Sequence, residues 1–159
     1  MAQAAVKIED VQTEAILPVE PRRFQIPDLD THGGWMVDRM CETFTHFNPR
    51  SAANSLRSII YSNEYMFLFL PNAVGLAQTV RDFTFEPLPV VRERFVWCRD
   101  RTDKAAQIAA GILYEEFSKW ARHQGCEIMI VEESSDVPHE EIRERLGRVY
   151  SRQQQFVRF

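Results

Sequence analysis

The sequence predicts an α/β protein in which one layer of mixed β-sheet carries helices on both faces. Three observations lead to this fold class. Residues 90–98, 104–124 and 126–131 have the patterns of a strand, a helix and a strand, as in a crossover between parallel neighbours. Residues 64–70 and 74–85 form an apolar hairpin just before this unit. Amphipathic segments ahead of the hairpin supply helices for the second face.

The long helix at 104–124 has the clearest pattern in the chain. Thr102 or Asp103 can cap its start, and Gly125 can end it in a left-handed conformation. Apolar residues recur along it at three- and four-residue spacing, which predicts one buried stripe. The stripe consists of Ala105, Ile108, Ala109, Ile112, Leu113, Phe117, Trp120 and Ala121.

The remaining elements follow from turn residues and apolar spacing. Residues 1–20 predict a flexible tail with a short strand near 15–17, and residues 21–159 predict a single domain. The predicted elements before the hairpin are a strand at 22–26 and helices at 34–47 and 51–61. After the central unit come a loop at 134–138, a helix at 139–146 and a final strand or hairpin at 148–159.

Composition narrows the functional classes. The 159 residues carry a formal net charge of −4, so nothing global favours nucleic acid or an anionic membrane as a partner. The three cysteines, at 41, 98 and 126, are scattered and odd in number, which predicts reduced thiols in a cytosol. No Cys/His spacing suits a metal, and no apolar run is long enough for a membrane span. We therefore expect a cytoplasmic protein without a metal site.

The run from Ile112 to Cys126 resembles a motif of the GCN5-related N-acetyltransferases (GNAT). Members of that superfamily typically end the corresponding helix in L-L-x-x-x-x-x-W-A-x-x-x-G-C, and this chain has Trp120-Ala121 and Gly125-Cys126 at the matching positions. Glu144-Arg145-Leu146-Gly147-Arg148 is similar to the family's E-K-L-G-F corner. The resemblance covers roughly residues 22–159, and the segment before the loop looks most like variants carried by tailed bacteriophages.

The resemblance implies acetyl-CoA as cofactor. In the family, pantetheine amides pair with the backbone of the strand before the loop, which here is Phe95, Val96, Trp97 and Cys98. Pyrophosphate binds backbone N–H groups where the following helix begins. The matching loop residues are Ala106, Gln107, Ile108, Ala109 and Ala110, with Lys104 beside them. Ile108 stands where the family has a glycine, so we expect it to crowd a phosphate.

Glu93 is the candidate general base, because many members carry a carboxylate on this strand. The alternative is an outward-facing residue between Arg92 and Arg94. The family's tyrosine acid is absent, since Arg143 lies four residues before Gly147 and Tyr114 belongs to a different element. Arg92, Arg94, Arg99, Arg101 and Lys104 could bind phosphates or form a solvated surface.

Two functions therefore stay open. In the first, the protein transfers an acetyl group from acetyl-CoA to a primary amine of a small molecule or protein. In the second, it keeps the fold without the chemistry and serves as a binding or assembly module, as a homo-oligomer or with a phage virion or host protein. A Cys98 nucleophile, with a pKa lowered by Arg99 and Arg101, is a weaker alternative. A hydrolase site at Ser134-Ser135-Asp136 with His139 is weaker still, because no G-x-S-x-G elbow precedes it.

Overall fold

The computed structural model describes residues 19–81, 89–132, 135–147, 149–151 and 155–158. The described strands are β1 (Arg22–Arg23), β2 (Tyr65–Leu70), β3 (Ala73–Arg81), β4 (Pro89–Cys98), β5 (Ile128–Val131), β6 (Val149–Ser151) and β7 (Gln155–Arg158). The described helices are α1 (Asp28–Thr43), α2 (Pro49–Tyr61), α3 (Lys104–Ala109), α4 (Ile112–His123) and α5 (His139–Leu146). The predicted tail at 1–18 and the strand end at 82–85 lie outside the described residues.

The seven described strands form one sheet in the order β1-β2-β3-β4-β5-β7-β6. Neighbours pair antiparallel except β4 and β5, which are parallel, as the sequence predicts. One apolar core packs α1 and α2 on one face, around Met36, Leu56 and Trp97. A second core packs α4 and α5 on the other face, around Leu113, Phe117 and Ile142. The predicted α/β class with helices on both faces is confirmed.

Helix α1 begins six residues before the predicted start at 34 and ends four before the predicted end at 47. Its first turn carries Asp28 and Asp30, whose negative charges interact favourably with the positive end of the helix dipole. The Asp28 carboxylate also accepts hydrogen bonds from the Gln25 N–H and the Arg22 guanidinium. These contacts end the first strand after two residues, so the predicted strand at 22–26 was too long.

The predicted single helix at 104–124 is wrong, because the chain forms α3 and α4 with a break at Ala110-Gly111. At the break the hydrogen bonds tighten to three-residue spacing, from Gly111 N to Ile108 O (3.1 Å) and from Leu113 N to Ala110 O (3.0 Å). Helix α5 packs directly on this point. A Cβ added to Gly111 would lie 2.6 Å from Arg145 Nε and 2.8 Å from Glu141 Cγ.

Other predicted elements agree with the structure to within a few residues. Helix α5 has the predicted bounds, and the C-terminal segment forms the hairpin β6–β7. Helix α2 begins at Pro49, where Asn48 and Ser51 form a capping box. All three cysteines are free thiols. Within the described part of the chain, no helix is long and apolar enough to cross a membrane.

A β-bulge in β4 fixes which side chains face each layer. Leu76 of β3 pairs with Phe95 and Ala77 pairs with Glu93, so Arg94 is an extra residue without its own partner. The extra residue exchanges the two faces of the strand at this point. Val91 and Val96 therefore share the core beneath α4, while Phe95 and Trp97 pack beneath α1 and α2. Glu93 points to the α4 side as a consequence.

Candidate functional site

The two parallel strands at the centre of the sheet separate after a short pairing. Their register joins Val91 to Met129 and Arg92 to Ile130. Beyond Arg92 the edge of β4 turns away from β5, so its N–H and C=O groups need other partners. In an open α/β sheet, such a divergence at the carboxyl ends of parallel strands is a common location for a binding site.

Asp136 fills this divergence in the structure. Its backbone N–H donates to Val96 O (3.0 Å), and its Oδ2 accepts from the Cys98 N–H (2.8 Å). Its Oδ1 accepts from Arg39 Nη2 at 2.5 Å, and the Arg39 guanidinium lies 5.3 Å from the centre of the Trp97 ring. We refer to Arg39, Val96, Cys98 and Asp136 as the Asp136 clasp. The clasp occupies the hydrogen-bonding positions that an added strand would use on β4.

Glu93 lies beside the clasp and is completely buried, with 0% of its surface exposed. The alternative of an outward residue between two arginines is therefore wrong, because the bulge turns Glu93 inward. Its Oε2 accepts a hydrogen bond from the Glu132 N–H (3.2 Å). Its Oε1 has no hydrogen-bond partner among the described residues. A buried carboxyl with one unpaired oxygen is costly to the fold, which makes Glu93 a candidate for chemistry.

Burial raises the pKa of Glu93 to about 8, and the nearby Glu132 carboxylate adds to the increase. The Tyr114 hydroxyl and the N–H groups of Glu132 and Val96 lower this pKa in part. Tyr114 is itself buried, and its hydroxyl donates to Ser135 Oγ at 2.6 Å. Ser135 is half-buried, and its Oγ also accepts from the Val137 N–H (3.2 Å).

The four predicted strand residues divide between the faces of β4. Val96 and Cys98 present their O and N–H to Asp136, whereas Phe95 and Trp97 stack on each other in the α1–α2 core at 3.9 Å between ring centres. Burial raises the pKa of Cys98 to about 12. Cys98 is also completely buried, and both observations argue against the alternative of Cys98 as a low-pKa nucleophile.

The residues predicted to bind pyrophosphate lie on α3, except Ala110, which follows it, and several of their backbone donors already have acceptors. The Ala106 N–H donates to Asp103 Oδ1 (3.0 Å), and the Gln107 N–H donates to Asp103 O (3.1 Å). The Ala110 N–H donates to Ala106 O (2.9 Å). An anion would have to displace the Asp103 carboxylate. The Ile108 side chain is 49% exposed on α3, and its crowding of a phosphate stays a prediction.

The predicted basic cluster is spread over several acceptors. Arg92 pairs with Glu132 at 3.2 Å, Arg101 pairs with Glu42 at 2.8 Å, and Arg94 donates to Gln78. Arg99 and Lys104 are exposed. Arg99 and Arg101 line one cleft together with Arg39, whereas Arg92, Arg94 and Lys104 are not among the residues that line it.

Two clefts adjoin the predicted site residues, one on each face of the sheet. A polar cleft of about 340 Å³ on the α1 side is lined by Trp35, Asp38, Arg39, Glu42, Arg99 and Arg101. A more apolar cleft of about 340 Å³ on the α4 side contains Ala106, Ala109 and Ala110, beside the β2–β3 turn and Arg145. Arg39 joins the first cleft to the clasp.

Sequence reasoning missed Arg39, Tyr114, Ser135 and Asp136 as parts of one site. Two of them left a signal in the helical spacing. Arg39 lies on the same face of α1 as the buried Met36 and Met40, and Tyr114 lies between Leu113 and Phe117 on the apolar stripe. A polar group within an apolar stripe needs a buried partner, which here is Asp136 for Arg39 and Ser135 for Tyr114.

The fold of this chain is GNAT-like and matches two solved structures. A solved structure described as a probable acetyltransferase matches with a TM-score of 0.63 and 14% identity, over 84% of this chain and 92% of that one. The apo aminoglycoside 6'-N-acetyltransferase AAC(6')-IG from Acinetobacter haemolyticus matches with a TM-score of 0.58 and 11% identity, over the same shares. No protein-family model and no curated protein matches the sequence.

Proposed function

We propose that this protein transfers an acetyl group from acetyl-CoA to a primary amine, with Glu93 as the residue that accepts the amine's proton. The observation that carries the proposal is the buried Glu93 carboxyl, with Oε1 unpaired among the described residues, where β4 and β5 separate. A structural role does not require an unpaired buried oxygen, because an apolar residue would avoid the cost. The fold shared with acetyltransferases supports the same conclusion.

The β4 edge fits the amides of acetyl-CoA, but the start of α3 does not fit its pyrophosphate. Val96 O and Cys98 N–H are an acceptor and a donor, and Asp136 satisfies them with an N–H and an oxygen, as an amide-bearing chain would. The Ala106 N–H, by contrast, is capped by the Asp103 carboxylate, which repels an anion. In the proposal, Val96 and Cys98 hold the pantetheine arm, and acetyl-CoA supplies the activated acyl group.

Glu93 serves as the base only when it is charged. Because burial raises the pKa of Glu93 to about 8, its carboxyl is mostly protonated at pH 7. As the pH rises through about 8, Oε1 gains the charge that it needs to take a proton from an ammonium group. We therefore expect the rate of acetyl transfer to increase with pH over this range. Positioning of the amine beside the acyl group supplies the rest of the acceleration.

The second candidate is a GNAT-like binding or assembly module without catalysis, as a homo-oligomer or with a virion or host protein. The Asp136 clasp and the capped start of α3 favour it, because both fill positions that acetyl-CoA would occupy.

Calorimetry and thermal shift with acetyl-CoA and CoA separate the two candidates. A micromolar Kd for acetyl-CoA raises the Tm by mass action and supports the transferase. No shift at millimolar acetyl-CoA contradicts it and favours the module. If binding occurs, amine acetylation is followed from pH 6 to 9. Glu93→Gln is expected to keep the affinity and lose the rise in rate near pH 8, whereas an unchanged profile excludes Glu93 as the base.

A further inference from the structure

We infer that the Asp136 clasp is a self-occluding contact, in which the chain closes its own β4 edge and any ligand of that edge must first displace Asp136. The inference rests on the proposed function for the identity of the ligand. The closure itself rests on geometry alone.

The hydrogen-bond pattern shows why the contact competes with a ligand. Val96 O and Cys98 N–H lie on the same edge of β4, and a bound extended chain would use both. Asp136 uses both in its place, at 3.0 Å through its backbone N–H and at 2.8 Å through Oδ2. While Asp136 is bound, Val96 O and the Cys98 N–H are therefore not available to a ligand.

Arg39 holds the closed arrangement. The side chains of Arg39 and Asp136 are only 10% and 11% exposed, so their ion pair is shielded from water. Arg39 also packs over the ring of Trp97, whose position in the α1–α2 core fixes the guanidinium. Through Arg39, helix α1 therefore stabilises the arrangement in which Asp136 covers the β4 edge. A ligand that binds the β4 edge has to work against this ion pair, which lowers its apparent affinity.

Two variants test the closure without any ligand. In Asp136→Ala both the charge and the Cys98 contact are removed, and in Asp136→Asn the acceptor for Cys98 stays while the charge is lost. We expect the Cys98 amide hydrogen of the full-length protein to exchange about tenfold faster or more in Asp136→Ala, with a smaller increase in Asp136→Asn. Glu116→Gln, which removes an exposed ion pair with Lys119, is the matched control and should leave Cys98 unchanged. Unchanged protection of Cys98 in a folded Asp136→Ala variant overturns the inference.

Binding of acetyl-CoA to the same variants completes the test. Removing the competitor should tighten binding by about tenfold or more in Asp136→Ala, because the open fraction increases. Faster Cys98 exchange with equal affinity contradicts competition at this edge. Faster exchange with no binding by any variant contradicts the proposed transferase and leaves the closure standing. Should Asp136→Ala not fold, the Arg39→Met/Asp136→Ala double variant replaces it, since it removes the Cys98 acceptor and leaves no unpaired charge in the gap.

Discussion

Glu93 combines full burial with incomplete hydrogen bonding. One carboxyl oxygen accepts from the Glu132 N–H, and the other has no partner among the described residues. Such a group costs about 1–3 kcal/mol relative to a satisfied one. The neutral form reduces this cost, and for this reason the pKa of Glu93 rises to about 8. The stability of the fold is therefore linked to the protonation of a single side chain.

Replacing Glu93 by glutamine should stabilise the protein at neutral pH. The folded state keeps the Glu93 proton up to a pKa of about 8, whereas the unfolded chain releases it near the ordinary glutamate pKa of 4.5. The free energy of unfolding therefore falls as the pH rises from 4.5 to 8. At pH 7 the parent protein has lost about 3 kcal/mol in this way, and Glu93→Gln, which has no carboxyl to titrate, does not undergo this loss.

Urea unfolding at pH 4.5 and at pH 7.5 measures the effect. We expect the difference between Glu93→Gln and the parent protein to be small at the lower pH and large at the higher one. The exposed Glu64→Gln serves as a control that should differ equally at both values. A pH-independent difference for Glu93→Gln would show that burial does not keep its carboxyl neutral.

At this scale the sequence made Glu93 a candidate but did not predict its surroundings. Glu93 became a candidate because the βαβ pattern of the sequence places it on the strand before the loop. Its burial could not be read from alternation, because the bulge at Arg94 changes the phase. Tyr114 and Asp136 were missed for a different reason, since their contacts join segments far apart in the chain.

Helix α4 approaches the sheet closely at Gly75 of β3. A Cβ added there would lie 2.9 Å from Phe117 Cζ and 3.1 Å from Leu113 Cδ1. Close helix–sheet contact at a glycine leaves no room for a methyl group. This contact helps to fix how α4, and with it Tyr114, lies over Glu93.

Gly75→Ala is expected to lower the free energy of unfolding by about 1–3 kcal/mol, since the added methyl group overpacks the core. Gly34→Ala provides a matched control in α1, where an added Cβ meets nothing within 4 Å. Alanine at this helical position should raise the stability by about 1 kcal/mol. Denaturant unfolding of both variants checks the contrast, and equal effects would show that α4 does not pack tightly on β3.

The sequence predicted the type and order of most elements but missed two local irregularities. The apolar stripe between 105 and 121 favoured one continuous helix, because Ala110 and Gly111 do not interrupt its spacing. The break coincides with a tertiary contact, because Glu141 and Arg145 of α5 occupy the space beside Gly111. Gly33 and Gly34 led to the reverse error. They favoured a helix start at residue 34, although α1 begins at Asp28 and runs through both glycines.

Over the whole molecule, one ion pair joins the first helix to the segment after β5. Arg39 and Asp136 are 97 residues apart in sequence, and their pair links α1 with the far end of the central crossover. A shielded pair of this kind contributes little net stability, but loss of one partner is costly because the other charge stays buried.

A double-mutant cycle over Arg39→Met and Asp136→Asn should therefore show strong coupling. Each single variant is expected to lose about 3 kcal/mol or more, and the double variant should lose clearly less than the sum of the two. Urea unfolding of the four proteins gives the coupling energy. Additive losses would mean that the two side chains do not pair in solution.

The overall architecture was predictable because local patterns determine it. A helix of crossover length between two strands dictates a parallel pair, and an apolar hairpin dictates its antiparallel neighbours. The chain's closure over its own β4 edge was not predictable, since Arg39, Val96 and Asp136 come from three separate segments. A local pattern in a single sequence does not predict a contact between distant segments.

The late position of Asp136 has a consequence for synthesis. Asp136 lies 38 residues beyond Cys98, so β4 is complete before its covering residue leaves the ribosome. At a synthesis rate of roughly 5–20 residues per second, this interval lasts roughly 2–8 seconds. During that time the nascent chain presents an uncovered strand edge, which can pair with another chain or capture a ligand. During synthesis, therefore, the β4 edge is accessible to other chains and ligands, whereas Asp136 covers it in the complete protein.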